Sequence, residues 1–341
     1  MHKRFVVWLA IALCLVLAAS GCASQGSQGS PTAAPTAAVP SPTLSPAAPV
    51  RIAALIGPTG MGLSYLMHQS ELGEASQKYD FALSIAPDDV AAQVISGNTD
   101  IAAVPINLAA TLYNKTEGGV KIIAINTLGV LYVLENGDSV KELSDLKGKT
   151  LYATGQGSTP EYILNYLLAK NNIADSVKIE YLAEHAELAT KLAAGNVSLG
   201  MLPEPNATAV LMKNSALRIA LDMTAEWNKI SGGTQLVQGC FIVRSVFLEE
   251  NPQAIKNFLA DYQGSAKYVT DFPEQAAPMI YEYGILASPE AAQRAIPNCN
   301  IVAITGEDMA KNAKAMFDVL LASNPKSIGG ALPGKDFYYM G

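Results

Sequence analysis

One motif occurs twice in this chain, and its spacing restricts the fold more than any other feature. "VISGNTDIAAVP" ends at Pro105 and "KLAAGNVSLGMLP" ends at Pro203, so Gly97-Asn98 recurs as Gly195-Asn196, 98 residues later. Each copy reads as a helix, a Gly-Asn stop, a buried strand and a proline at the strand's end. Gly and Asn tolerate the left-handed conformation that closes a helix, which gives the match a structural meaning. A period near 98 is too long for a solenoid, whose repeats run to about 50 residues. It predicts two similar lobes.

The segments around the motif alternate strand and helix. "RIAALI" predicts a strand, and "GLSYLMHQS" a helix with Leu63, Leu66 and Met67 on one face. "YDFALSIA", "DDVAAQVISGN" and "IAAVP" continue as strand, helix and buried strand, and "KTLYATGQGSTPEY", "VKIEYL", "AELATKLAAGN" and "VSLGMLPEP" repeat that order. The rhythm implies an α/β fold, each lobe a mostly parallel sheet flanked by helices. Sheets of this kind bind ligands at the carboxyl ends of their strands. Gly57–Gly62, Pro105–Asn107, Gly155–Pro160 and Pro203–Pro205 are expected at such ends.

The first residues address the chain rather than fold it. His2-Lys3-Arg4 precedes the apolar run Phe5–Ala19, which is shorter than the roughly 20 residues of a membrane span and suits a secretory leader over 1–21. "AASGC" resembles the lipobox of bacterial lipoproteins, which implies cleavage before Cys22 and a lipid on its sulfur; an ordinary leader containing a cysteine is the alternative. Residues 22–49 are Ser, Pro and Ala-rich without a charge, a flexible tether. Without Lys3 and Arg4 the net charge goes from −7 to −9, and no basic run follows. Nucleic acid is therefore a poor partner. Cys240 and Cys299 remain, either as a disulfide or as two unpaired buried thiols.

From Pro49 to Gly341 the chain resembles the type II solute-binding lipoproteins of ABC importers, in the nitrate, sulfonate, taurine and thiamine-pyrimidine group. The resemblance rests on the lipobox, "GPTGMG", "GNTDIAAVP", "SVKELSDLKGKTLYATGQGSTPEY", "MLPEP" and "FLEENPQAIKNFL" in that order. It implies two lobes joined by two crossover strands, expected at Thr127–Glu135 and Gln235–Val243. Lobe one would be 50–127 plus 241–341, and lobe two 128–240. It also implies a monomer, lipid-anchored on the extracytoplasmic face of the cell membrane, that hands a small solute to a permease powered by a separate ATPase.

Enzymatic alternatives lack their residues. "DLKGKT" has the Gly-Lys-Thr of a phosphate-binding loop, but Leu143 stands where the first glycine belongs, and no G-x-S-x-G occurs. His68 and His185 lie in no metal-ligand spacing, so neither metal nor cofactor is expected, and His185 reads as a helix-surface residue. The catalytic branch of the resembled fold, the pyrimidine synthases of thiamine biosynthesis, carries a cysteine-rich iron motif that Cys240 and Cys299 do not match.

The candidate ligand-binding residues are Thr59, Gly60 and Met61 in the first loop, Asn107 at a helix start, Thr127 at the crossover, Gly155, Gln156, Gly157, Ser158 and Thr159 in the second loop, and Glu204. Ser158 and Asn107 could instead merely cap helices. Glu204, between two prolines and with no arginine in the candidate loops, argues for a neutral or cationic ligand and weakly favours a thiamine-related pyrimidine over a sulfonate or nitrate; a cap on the following helix is the alternative. A ligand-sensing receptor lipoprotein, and an extracytoplasmic enzyme, remain the rival functions.

Overall fold

The computed structural model describes residues 48–341. The leader, Cys22 and the tether up to residue 47 lie outside the described residues. Among those described, no helix is long and apolar enough to cross a membrane.

The strands are β1 (Val50–Leu55), β2 (Tyr79–Ser84), β3 (Ile101–Pro105), β4 (Val120–Leu128), β5 (Leu131–Asn136), β6 (Thr150–Thr154), β7 (Lys178–Leu182), β8 (Leu199–Pro203), β9 (Leu217–Asp222), β10 (Val237–Arg244) and β11 (Ile301–Ile304). The helices of the first half are α1 (Pro58–Met61), α2 (Ser64–Leu72), α3 (Pro87–Ile95), α4 (Ile106–Lys115), α5 (Thr159–Lys170), α6 (His185–Ala193) and α7 (Asn206–Lys213). They are followed by α8 (Met223–Ile230), α9 (Ser245–Glu250), α10 (Pro252–Asp271), α11 (Pro273–Glu282), α12 (Pro289–Ala295) and α13 (Gly306–Ser323). The repeat holds residue by residue where the motif is strongest. Shifted by 98, α3 falls on α6 and β3 on β8.

Two sheets result, in the orders β11-β4-β10-β3-β1-β2 and β7-β6-β8-β5-β9. In the first, β1 runs parallel to β2 and β3, while β10 runs antiparallel to both β3 and β4. In the second, β6 runs parallel to β7 and β8, and β5 runs antiparallel to β8 and β9. Each sheet thus receives its inner antiparallel strand directly after the chain has changed sheets. The first passage is Gly129–Val130, between β4 and β5, inside the expected Thr127–Glu135. The second lies in 231–236, between α8 and β10, so β10 belongs wholly to the first sheet and most of Gln235–Val243 does not cross.

Three apolar clusters hold this arrangement. One lies on the far face of the first sheet, where Met61, Leu66, Phe241, Phe258 and Tyr262 are closed in under α2, α10 and α11. A second lies between α6, α7 and the second sheet, around Leu134, Leu188 and Leu202. The third spans both sheets, joining Val104, Ile125 and Ile242 to Leu131, Leu164 and Trp227. Helix α13 lies in that shared core and meets α5, where Asn324 Nδ2 donates to Tyr162 Oη at 2.8 Å. Leu63, Leu66 and Met67, and the α5 residues Ile163, Leu164, Leu167 and Leu168, are buried as their spacing predicts.

Candidate functional site

The carboxyl edge of the first sheet begins where β1 ends. The chain turns through Gly57, whose φ of 88° suits glycine. It then passes Gly60, where a Cβ would lie 2.4 Å from the Leu55 carbonyl oxygen. No side chain fits there, so Gly60 brings the start of α1 hard against β1. Thr59 follows the same edge: its carbonyl accepts from Asn126 Nδ2 at 3.3 Å, and Thr127 Oγ1 donates to Asn126 Oδ1 at 3.1 Å. Asn126 and Thr127 are fully enclosed. A Cβ on Gly239 would meet Asn126 Oδ1 at 2.7 Å and Thr59 Cγ2 at 3.0 Å, so Thr59, Asn126, Thr127 and Gly239 form one polar cluster.

Beside it stand two amides. Gly239 of β10 pairs with Pro105 of β3, which sets Gln238 next to the first turn of α4, where Asn107 is half-buried. Asn107 does not cap α4, whose N-cap is Pro105 with no side-chain bond. Met61 departs from expectation. It is fully buried among Ile52, Leu66 and Phe241 and serves the core, because the short α1 turns it inward behind the sheet edge.

On the second sheet the matching loop is held open by Gly155 (φ 77°) and Gly157 (φ 75°). Gln156, Gly157 and Ser158 are exposed, whereas Thr159 is buried. Ser158 starts α5 but caps nothing with its side chain; its hydroxyl donates to the Gly155 carbonyl at 2.6 Å. Glu161 Oε2 accepts from the Gly157 amide at 2.6 Å, and Tyr162 Oη donates to the Gly157 carbonyl at 2.7 Å. A carboxylate therefore already takes the amide that an oxyanion would seek.

The sequence predicts His185 on a helix surface. It is instead half-buried at the first position of α6, its Nδ1 2.7 Å from Oγ1 of Thr154, the last residue of β6. Burial lowers its pKa, which favours the neutral imidazole. The repeat contained the signal: shifted by 98, His185 matches Pro87, which opens α3 after the second strand of its own lobe.

Glu204 is only 3% exposed and behaves as a local cap. Its two carboxylate oxygens accept from Thr208 Oγ1 at 2.9 Å and Thr208 N at 3.1 Å, tying down the first turn of α7. These are the bonds of a cap on the following helix, the second of the two roles expected for Glu204.

Among the described residues, three buried side-chain atoms have no hydrogen-bond partner: Tyr181 Oη, Thr224 Oγ1 and Gln238 Oε1. All three belong to the carboxyl edges. Tyr181 is next to last in β7, Thr224 follows the end of β9, and Gln238 is second in the antiparallel β10. Sequence reasoning missed them because orphaned atoms exist only once a fold is made. Native proteins pair nearly all such groups, so three exceptions along these edges mark positions where a polar partner is wanting.

The basic side chains gather at the opposite edges. Arg51 and Arg244 hold Asp100 at 2.6 and 2.9 Å, and Arg218 holds Glu135 at 2.5 Å, all at the amino ends of the parallel strands. Burial would raise the Asp100 pKa, but the Arg51 and Arg244 hydrogen bonds together keep it below the usual value. No lysine or arginine stands in the carboxyl-edge segments 55–62, 105–107, 154–161, 182–187, 203–208 or 235–239. A cavity of about 370 Å³ lined by Lys149, Asn196 and Ser198 opens at the amino edge of the second sheet instead.

Among the described residues no group of three His, Cys, Asp or Glu side chains could hold a metal ion. Cys240 and Cys299 are both free and buried, in separate apolar clusters. The disulfide alternative therefore falls.

No curated protein matches this chain. Among solved structures, an ABC transporter from Parabacteroides distasonis is similar at 24% identity and a TM-score of 0.70, over 85% of this chain and 98% of that one. The periplasmic aliphatic sulphonate binding protein SsuA from Escherichia coli is similar at 16% identity and a TM-score of 0.66, over 85% and 92%. The alkanesulfonate-binding protein SsuA from Xanthomonas axonopodis, bound to MOPS, is similar at 15% identity and a TM-score of 0.60, over 86% and 96%. These likenesses establish the two-lobed α/β fold of periplasmic binding proteins. A family model described as NMT1/THI5 like matches residues 83–276, more than half of the sequence, and the chain therefore belongs to the NMT1/THI5-like family.

Proposed function

We propose that this chain is the extracytoplasmic solute-binding component of an ABC importer, taking a small neutral or cationic, polar or heteroaromatic solute between two lobes. The observation that carries the reading is the contrast between the two edges of each sheet. Orphaned buried polar atoms and loops without a lysine or arginine collect at the carboxyl edges, while Arg51, Arg218 and Arg244 are consumed at the amino edges. An unpaired buried acceptor such as Gln238 Oε1 costs about 1–3 kcal/mol, which a donor on the solute would recover.

The lobe bounds expected from sequence shift with β10: lobe one comprises 50–128 plus 237–341 and lobe two 131–230, joined by the passages 129–130 and 231–236. Thr59, Asn107, Thr127 and Gln238 face the solute from one side, and Gly155–Thr159, Tyr181 and His185 from the other. Cys22 carries the lipid that holds the protein at the membrane, and the partners are a permease and its ATPase. The protein works as a monomer and turns nothing over. A pyrimidine with an exocyclic amino group fits these donors and acceptors better than a sulfonate, despite what the named fold relatives bind.

Titration calorimetry with a 4-aminopyrimidine and with taurine tests this. Saturable binding of the pyrimidine, weakened about tenfold or more by Gln238→Leu, is expected, the loss of one hydrogen bond to a neutral group being worth about 0.5–1.5 kcal/mol and its orphaned partner more. Binding of taurine alone would redirect the reading to a sulfonate receptor. Chemical change of the bound solute would overturn it in favour of an enzyme.

A further inference from the structure

We infer that Glu204 is the positioning residue through which closure of the two lobes takes up a proton, so that the contact between them tightens as the medium is acidified. The inference deepens the two-lobe binding reading above and rests on it.

Glu204 follows β8 of the second sheet, and its amide donates to the Val130 carbonyl at 2.9 Å, directly on the first passage between sheets. The other lobe reaches this corner, where α12 packs against α7. The 3-10 turn Ile296–Asn298, between α12 and β11, leads into Cys299, whose thiol the Glu204 charge pushes up. Tyr132 of β5 donates its hydroxyl to the Asn298 carbonyl at 2.8 Å across the same boundary. The groups around Glu204 are therefore Thr208 from α7, Tyr132 from β5, and Asn298 and Cys299 from the opposing turn, with Asp222 at the end of β9 also acting on Tyr132. None of them is a cation.

An ionised carboxylate in such a place is poorly compensated. Burial raises its pKa above the ordinary 4.5, and the two Thr208 hydrogen bonds offset this only in part. Cys299 feels the same charge, its thiol pushed well up by burial and by Glu204. Withdrawing the Asn298–Cys299 turn would return the carboxylate to water and remove the penalty. A group whose pKa is higher in the closed form favours that form below its open-form pKa, and the advantage is lost as pH rises through the closed-form value. Closure and protonation of Glu204 therefore promote one another.

Hydrogen exchange of the ligand-free protein, followed by mass spectrometry on the amides of 296–300 between about pH 5 and pH 8, reads this directly as a protection factor. Wild-type protection should fall as pH rises, by up to about tenfold per pH unit between the two pKa values. Glu204→Gln keeps an acceptor for Thr208 and should show a flat profile. Thr208→Val keeps the charge but removes its hydroxyl partner, and should move the wild-type window to higher pH. A flat wild-type profile, an equal slope in Glu204→Gln, or no displacement in Thr208→Val would each overturn the inference. Because no solute is used, such a failure leaves the solute-binding reading standing, and failure to bind any solute leaves this one intact.

Discussion

Gly129→Ala should be costly for a reason that lies entirely in the neighbouring side chains. Gly129 is the first of two residues linking β4 to β5, and its φ is not among the positive ones, so its backbone would accept alanine. The space would not. A Cβ there lies 2.3 Å from Thr224 Oγ1 and 2.6 Å from Leu236 Cδ2, far inside van der Waals contact. Leu236 is fully buried and Thr224 nearly so, so neither can swing into solvent. Overpacking a core by one methyl group costs about 1–3 kcal/mol, and two contacts this short put the substitution at the upper end. Thr224→Ala removes one of the two clashing atoms, and since that hydroxyl is unpaired its loss sacrifices no hydrogen bond. The double variant should recover about 0.5 kcal/mol or more relative to the sum of the single changes. Urea unfolding followed by fluorescence of Trp227, buried on the same helix as Thr224, measures all three. An unchanged midpoint for Gly129→Ala, or strictly additive costs, would refute the steric reasoning.

Two further outcomes are expected. Asp100→Asn should cost about 2–3 kcal/mol in equilibrium unfolding, less than the 3–5 kcal/mol of a fully buried pair, because Arg51 and Arg244 stay partly solvated. The Asp100 carboxyl is held below 3.8 in the fold, so its stabilisation is present above that value and lost as pH falls through the lowered one; the asparagine variant should show a shallower loss of stability in acid. Gly60→Ala sets a methyl group 2.4 Å from a backbone oxygen that cannot rotate away, and should lower stability by about 3 kcal/mol, measured by the same urea titration.

The sequence by itself determined the elements and their repetition. Hydrophobic spacing and Gly-Asn stops are local, so "IAAVP" and "AELATKLAAGN" could be read as β3 and α6 without knowing what they touch. The same locality located the two glycine loops at strand ends and left the arginines outside them. Tertiary structure alone decided which sheet each strand joins. β10 looks like a crossing strand in sequence, yet it fills the slot between β3 and β4, because strand pairing depends on partners more than a hundred residues away. It also decided the fate of individual side chains. Met61 turned into the core, Glu204 bonded to Thr208, His185 found Thr154, and the two cysteines were buried apart. Periodicity fixes which face of an element is apolar, but not which neighbour covers it. A side chain's role at a site depends on that neighbour, and only the folded chain supplies it.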